Sequence, residues 1–105
     1  MVKRFDVFLI SLDPSQGREI KKTRPCVVVS PDEFSFLETY IVAPMTSKFK
    51  PYATRVPITF AQKRGYIVLD QIRTIDRSRM IKHLGAIDKK FGKAALAVLQ
   101  EMFAP

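Results

Sequence analysis

Two short segments hold the residue types from which phosphate chemistry can be built. In "GREIKKTRPCVVVS" (Gly17–Ser30), Arg18, Lys21, Lys22 and Arg24 crowd the approach to an apolar run, with Glu19 among them. Like charges this close repel, so the arrangement costs stability unless an anion sits there. In "PMTSK" (Pro44–Lys48), Thr46, Ser47 and Lys48 put two hydroxyls and a cation just past a second apolar run. Arg24 stands between a loop and a rigid strand, a good place for a guanidinium that grips phosphate with two parallel donors. The hydroxyls can donate to phosphate oxygens. The same residues also suit plainer roles: a strand-end salt bridge for Arg24, and a Thr-Ser turn capping nearby amides.

Other chemistries are excluded by what the chain lacks. A metal site needs several ligands at suitable spacing; the chain has one histidine, His83, and one cysteine, Cys26, far apart. Neither a metal nor a cofactor is expected. No GxxxxGK[ST] loop is present, which removes P-loop nucleotide chemistry. A Cys–His nucleophile pair is conceivable only between Cys26 and His83, but Cys26 lies inside an apolar strand, where thiols are usually inert. His83 reads as an exposed residue. No dedicated nucleophile is apparent, an absence compatible with one kind of phosphate chemistry, that of RNA. Its ribose 2′-OH lies beside the scissile phosphate, so a protein need only orient it, stabilise charge on the phosphate and help protons move.

The charge balance agrees. A net charge of +8 and a sequence pI near 9.9 point to an anionic partner, nucleic acid first. The cations flank residues 25–47, which contain Asp32, Glu33 and Glu38 and no Lys or Arg. A generally solvated basic surface is the simpler alternative. With 105 residues, 47% hydrophobic and 10% aromatic, the chain is expected to form one domain, 1–105, burying about two thirds of its surface. No apolar run approaches the ~20 residues of a membrane span. The apolar stretch of "MVKRFDVFLIS" is broken by Asp6 and too short for a secretory leader. A lone cysteine suits a reducing cytoplasm.

The elements that must position these residues are mostly strands. "DVFLIS" (Asp6–Ser11) reads as a strand closed by the turn signal "LDPSQG". Pro25 opens "CVVVS", a strand buried on both faces. "SPDEFSF" predicts one short turn of helix, and "ETYIVAPMTS" a third strand ending at Pro44. "TRVPITF" alternates, with Pro57 marking an edge or bulge. "GYIVLDQIRTI" predicts one strand or two, and "HLGAID" one more. Asp88 is placed to cap a final helix. Along it Phe91, Ala95, Leu96, Leu99, Met102 and Phe103 form an apolar stripe opposite Lys89, Lys90, Lys93 and Gln100. Short strands, turns and one terminal helix predict a strongly curved antiparallel sheet or barrel.

Taken together, "LDPSQGREIKKTRPCVVVSPDEF", "IVAPMTSK" and "LDQIRTID" resemble the MazF/PemK family of toxin ribonucleases. The likeness covers most of the chain in order: D-P-x-x-G-x-E, R-P before the apolar strand, P-x-T-[ST], then D-Q-x-R-T. It implies a barrel-like β fold of the MazF/CcdB/Kid kind with a C-terminal helix. It also implies a homodimer that holds RNA in a groove near the dimer interface. The implied activity is metal-independent, sequence-specific cleavage of single-stranded RNA, chiefly mRNA, leaving a 2′,3′-cyclic phosphate and a 5′-OH and arresting translation and growth. The implied partner is a MazE-like antitoxin whose acidic, disordered tail occupies the groove.

The family's catalytic pair falls on Arg24 and Thr46, and its loop acid on Glu19. Gln71 matches a position near the RNA in some relatives. Arg18, Lys21, Lys22, Ser47, Lys48, Lys50, Asp70 and Arg73 are the further expected RNA contacts. PemK/Kid-type relatives pair the aspartate of D-Q with an arginine two residues before it and with a loop histidine. Here those positions hold Val68 and Arg18, so Asp70 lacks those companions. The family's R-G-D start is Arg4-Phe5-Asp6. A guanidinium gives up its proton only above pH ~12, so Arg24 is expected first to stabilise the pentacoordinate phosphate and only second to protonate the 5′-oxygen. Thr46 would donate to a non-bridging oxygen, and Glu19 would accept the 2′-OH proton or order its loop. The competing readings are a CcdB-like toxin acting on DNA gyrase and a non-catalytic RNA-binding module.

Overall fold

The computed structural model describes residues 1–105. Seven strands and one α-helix follow in order: β1 (Asp6–Ser11), β2 (Thr23–Val28), β3 (Thr39–Thr46), β4 (Arg55–Phe60), β5 (Lys63–Val68), β6 (Arg73–Asp76), β7 (Met80–Ala86) and α1 (Lys89–Met102). Short 3-10 turns at Asp32–Leu37, Leu69–Gln71 and Arg77–Arg79 link them. The strands lie in the order β4-β5-β3-β2-β1-β7, with β6 also paired to β3. Every pairing is antiparallel.

Strand side chains alternate between faces, and both faces are covered. Phe8, Ile10, Cys26, Val28 and Val42 form one core, while Val7, Val27, Ala43, Ile67 and Ala95 form the other, beneath α1. This explains why Cys26–Val29 is an unbroken apolar run: from Cys26 onward neither face of β2 meets water. Pro57 lies on β4, the outermost strand, where a missing N–H leaves no central ladder bond unmade.

Pro44 does not end β3, contrary to the sequence expectation; the strand continues to Thr46. Up to Val42, β3 pairs with β6, and from Met45 it pairs with β5. Pro44 falls at that change of partner, where a residue without an N–H is tolerated. The two added residues carry Thr46 into the sheet.

The sheet curls until its outer strands approach. The Cζ of Phe60 on β4 lies 3.6 Å from where a Cβ on Gly85 of β7 would stand, yet no ladder joins the two strands. The result is a strongly curved antiparallel sheet rather than a closed barrel.

Helix α1 departs from expectation in two details. Asp88 occupies the N-cap position, but its carboxylate makes no capping bond; at this exposed end water can serve the free amides. Phe91, Leu99 and Met102 pack on the core as their spacing predicts, joined by Val98. Phe103, however, lies past the last turn and is 71% exposed. Leu96 turns with Phe103 to a shallow outer cleft beside Arg4. Phe5 has φ +78, in the region that favours glycine. Its ring fills the space that a Cβ on Gly92 of α1 would need.

Candidate active site

Strands β2 and β3 bring the expected pair together. They pair from Val28↔Val42 to Cys26↔Pro44, and Arg24 and Thr46 each lie two residues beyond that last pair, at the same end of the two strands. Both line a single cleft of about 550 Å³. Ser47, Lys63 and Arg64 share its rim, and Met45, Ile58, Phe60 and Leu84 give it apolar walls. It opens at the seam where the curled sheet brings β4 toward β7. Gly65 of β5 lets that strand press against β3 beside the cleft: a Cβ there would lie 2.9 Å from the carbonyl oxygen of Thr46.

Sequence reasoning missed Lys63 and Arg64. They follow a two-residue hairpin, Ala61–Gln62, closed by the pair Phe60↔Lys63. Both turn residues have positive φ, 50° and 64°, the geometry that Asn-Gly usually supplies. Ala-Gln carries no turn signal, so the hairpin and its two cations were not legible.

Arg24 is exposed and pairs with no carboxylate. Its Nε donates to the carbonyl of Lys21 at 3.2 Å, which orients the side chain and leaves both terminal nitrogens free. Among the 18 lysines and arginines, only Arg55 forms an ion pair with an acid. The strand-end salt bridge that Arg24 could have made is absent. The Oγ1 of Thr46 accepts from the Lys48 N–H at 3.2 Å. That is the turn-capping role, and it leaves the hydroxyl proton available to a ligand.

Glu19, Asp70, Gln71 and Arg73 come together elsewhere, in a second cleft of about 380 Å³. Pro44 of β3 lines this one, whereas Met45, Thr46 and Ser47 line the first. Each of the four side chains holds the fold in place. Oε1 of Glu19 accepts from the Gln16 N–H at 2.6 Å, so the carboxylate orders its own turn and stands apart from Arg24 and Thr46. Gln71 uses both ends of its amide: Oε1 accepts from Ile20 N–H at 2.7 Å and Nε2 donates to Arg18 O at 3.2 Å. Arg73 donates to Leu12 O at 3.0 Å, and Arg79 to Ser11 O and Asp13 O at 3.1 and 2.7 Å. The loop between β1 and β2 is thereby fastened to β6 and its flanks.

Asp70 accepts from Nε and Nη2 of Arg55 at 2.8 and 3.0 Å and from the Thr54 hydroxyl at 2.9 Å. The Arg55 hydrogen bonds lower the carboxyl pKa below its ordinary value, with Thr54 adding to the effect. An arginine therefore does meet Asp70, reaching it from β4, where Arg55 pairs with Val68. Arg18, Lys21 and Lys22 are exposed on the β1–β2 loop, and Ser47, Lys48 and Lys50 on the segment after β3. Cys26 is fully buried, and burial pushes its thiol up to about 12. Phe8 pairs with Cys26 on one side and His83 on the other, so β1 separates the two residues. His83 lies 3.6 Å from the Asp6 carboxylate.

A curled seven-stranded sheet with an open cleft at its seam, lined by Arg24, Lys63 and Arg64, defines a small β domain with a cationic cleft. The chain belongs to the family described as PemK-like, MazF-like toxin of type II toxin–antitoxin systems, whose profile matches residues 3–103. It is 34% identical to the endoribonuclease MazF of Staphylococcus saprophyticus, over 93% of this chain and 88% of that protein. Its fold is that of MazF from Deinococcus radiodurans (TM-score 0.85, 22% identity, 96% of this chain and 94% of that one). It is also that of a mycobacterial endoribonuclease solved with its cognate antitoxin (TM-score 0.84, 17% identity, 100% and 98%). No helix is long and apolar enough to cross a membrane.

Proposed function

We propose that residues 1–105 act as one toxin domain, an endoribonuclease that cuts single-stranded RNA, chiefly mRNA, at the cleft between β2 and β3. The observation that carries this is the meeting of Arg24, free of any acidic partner, with the hydroxyl of Thr46 in one open cleft. In the reaction the ribose 2′-oxygen attacks phosphorus while the bond to the 5′-oxygen breaks. Solvent water in the open cleft takes the 2′-OH proton, and a proton is returned to the leaving 5′-oxygen from water or, secondarily, from Arg24. The products are a 2′,3′-cyclic phosphate and a 5′-OH. Arg24 holds the non-bridging oxygens as charge gathers on them, and Thr46 donates its hydroxyl proton to the same group. Such donors must be in place before the reaction, and the strand ends hold them there. Glu19 acts through its loop, because its carboxylate is engaged at the Gln16 amide. The substrate supplies the nucleophile and Arg24 the positive charge at the phosphate, so the step as drawn uses no metal.

Arg18, Lys21, Lys22, Lys48 and Lys50, exposed on loops to either side, extend the positive surface along the RNA backbone. The same charge suits an acidic antitoxin tail competing for the cleft. A homodimer, as the family resemblance implies, would lengthen the groove. A cytoplasmic setting supplies both mRNA and the reducing conditions that a lone thiol suits. The test is incubation of the purified protein with naked RNA in EDTA, followed by mapping of the ends. Cuts with cyclic phosphate and 5′-OH termini are expected. Intact RNA at protein excess would turn the reading to a gyrase-directed toxin or a simple RNA binder.

A further inference from the structure

We infer that Phe49, with Tyr66 behind it, is a stacking platform for an RNA base beside the scissile phosphate, an assignment that rests on the ribonuclease reading above. Phe49 is 65% exposed, although burying an aromatic ring is among the largest single gains in folding. Single exposed apolar residues are ordinary, so exposure by itself decides nothing. The surroundings do. The Phe49 ring centroid lies 5.6 Å from that of Tyr66 at an interplanar angle of 58°, so the ring is braced on one side and open on another. Tyr66 pairs directly with Thr46, and residues directly opposite in an antiparallel pair project from the same face. Tyr66 therefore stands on the same side of the sheet as the hydroxyl assigned to the phosphate, and it holds the Phe49 ring just outside the cleft, whose lining includes neither ring. Lys48 and Lys50 flank Phe49 in the chain, and both are exposed.

An apolar surface between cations cannot by itself serve phosphate, because covering an anion with hydrocarbon removes its water without replacement. It does suit a nucleotide, which is a phosphate tethered to a flat, weakly polar base. Base–aromatic stacking recurs wherever single strands are held, and each base has a face to offer. An unpaired base beside the cut would lie on Phe49 while its phosphates meet Lys48 or Lys50 on one side and Thr46 and Arg24 on the other. The platform would thereby hold the strand in register for attack and prefer bases that stack well.

The test begins by mapping one cleavage site of the wild-type protein. RNA oligonucleotides of that site are then made intact, or with an abasic ribonucleotide immediately 5′ or 3′ of the cut. Wild type should lose about ten- to a hundredfold in kcat/KM on one of the abasic oligonucleotides. Phe49→Ala should lose a similar factor on intact RNA and lose little more when the base is missing. Phe49→Trp should restore the intact rate. Because Phe49 is exposed, its truncation leaves the core untouched, and circular dichroism checks the fold. Equal cleavage of intact RNA by wild type and Phe49→Ala overturns the inference, as do fully multiplicative losses. So does a Phe49→Ala protein that changes oligomeric mass, or that loses only antitoxin-peptide binding, since the face then belongs to a second copy or to a protein partner. If wild type cuts no RNA at all, the ribonuclease reading fails and takes this assignment with it. If wild type cuts and Phe49→Ala cuts equally well, only the platform fails.

Discussion

The ring of Phe5 sits where a Cβ on Gly92 would have to be. Phe5 keeps a left-handed backbone, φ +78, that a large side chain rarely adopts. The ring packs against the core beneath α1, and a helical residue without a side chain lets it in. Gly92→Ala should therefore destabilise the protein despite Ala's helix advantage of about 1 kcal/mol. Overpacking typically costs about 1–3 kcal/mol. A net fall in Tm of several degrees is expected, and Phe5→Gly in the same chain should recover part of it. A Gly92→Ala protein melting at or above the wild-type temperature would show that the ring has room elsewhere.

Arg24→Ala should fold normally, since the side chain is exposed and its one hydrogen bond goes to a loop carbonyl. Its cleavage rate should fall by about 10²–10³, the usual loss of one preorganised donor. Single-turnover cleavage of a fixed oligonucleotide measures this directly. Affinity of the wild type for an uncleavable RNA should also fall with salt, with a log–log slope of about −0.7 per phosphate neutralised. A near wild-type rate for folded Arg24→Ala would remove the residue from the chemistry, and a flat salt response would remove the loops from the backbone.

The Arg55–Asp70 pair predicts a pH effect whose sign is settled. The folded pKa of Asp70 is depressed, so its contribution is present above the unfolded value of about 3.9 and is lost as pH falls through the lower folded value. The Asp70 side chain is 33% exposed, and solvent screening limits the pair to at most about 1 kcal/mol. Asp70→Asn should lower Tm at neutral pH by at most about 4–8 °C. In acid, where the wild-type carboxylate is itself protonated, the gap should close. Melting curves across that range test it; a gap independent of pH would mean that packing, not charge, links the two residues.

Gln71→Ala removes both hydrogen bonds that tie the β1–β2 loop to the turn after β5. The loop carries Arg18, Lys21 and Lys22, so its loosening should act on substrate capture. KM is expected to rise several-fold with a smaller change in kcat, and limited proteolysis should cut residues 12–22 faster. Unchanged proteolysis would show that Arg73 and Arg79 suffice to fasten the loop.

What could be read from the amino acids alone was whatever is local. β1 runs from Asp6 to Ser11 as its apolar pattern and the following turn predicted. The buried character of Cys26–Val29 and the edge position of Pro57 likewise follow from side-chain chemistry at each residue. Arg24 and Thr46 could be named because each stands at a strand end, and because the order of motifs matches the family. The partners of these residues could not be read. Arg55 and Asp70 are joined across a hairpin, Gln71 reaches back to Ile20, and Lys63 and Arg64 arrive at the cleft through a turn without a glycine signal. Glu19 looks like a neighbour of Arg24 in the chain, yet it lies in a different cleft. Sequence proximity constrains a few ångströms of chain, whereas strand register and sheet curl decide which distant side chains share a surface. The types of group available were therefore local information; their grouping into two clefts came from antiparallel pairing and the curvature it imposes.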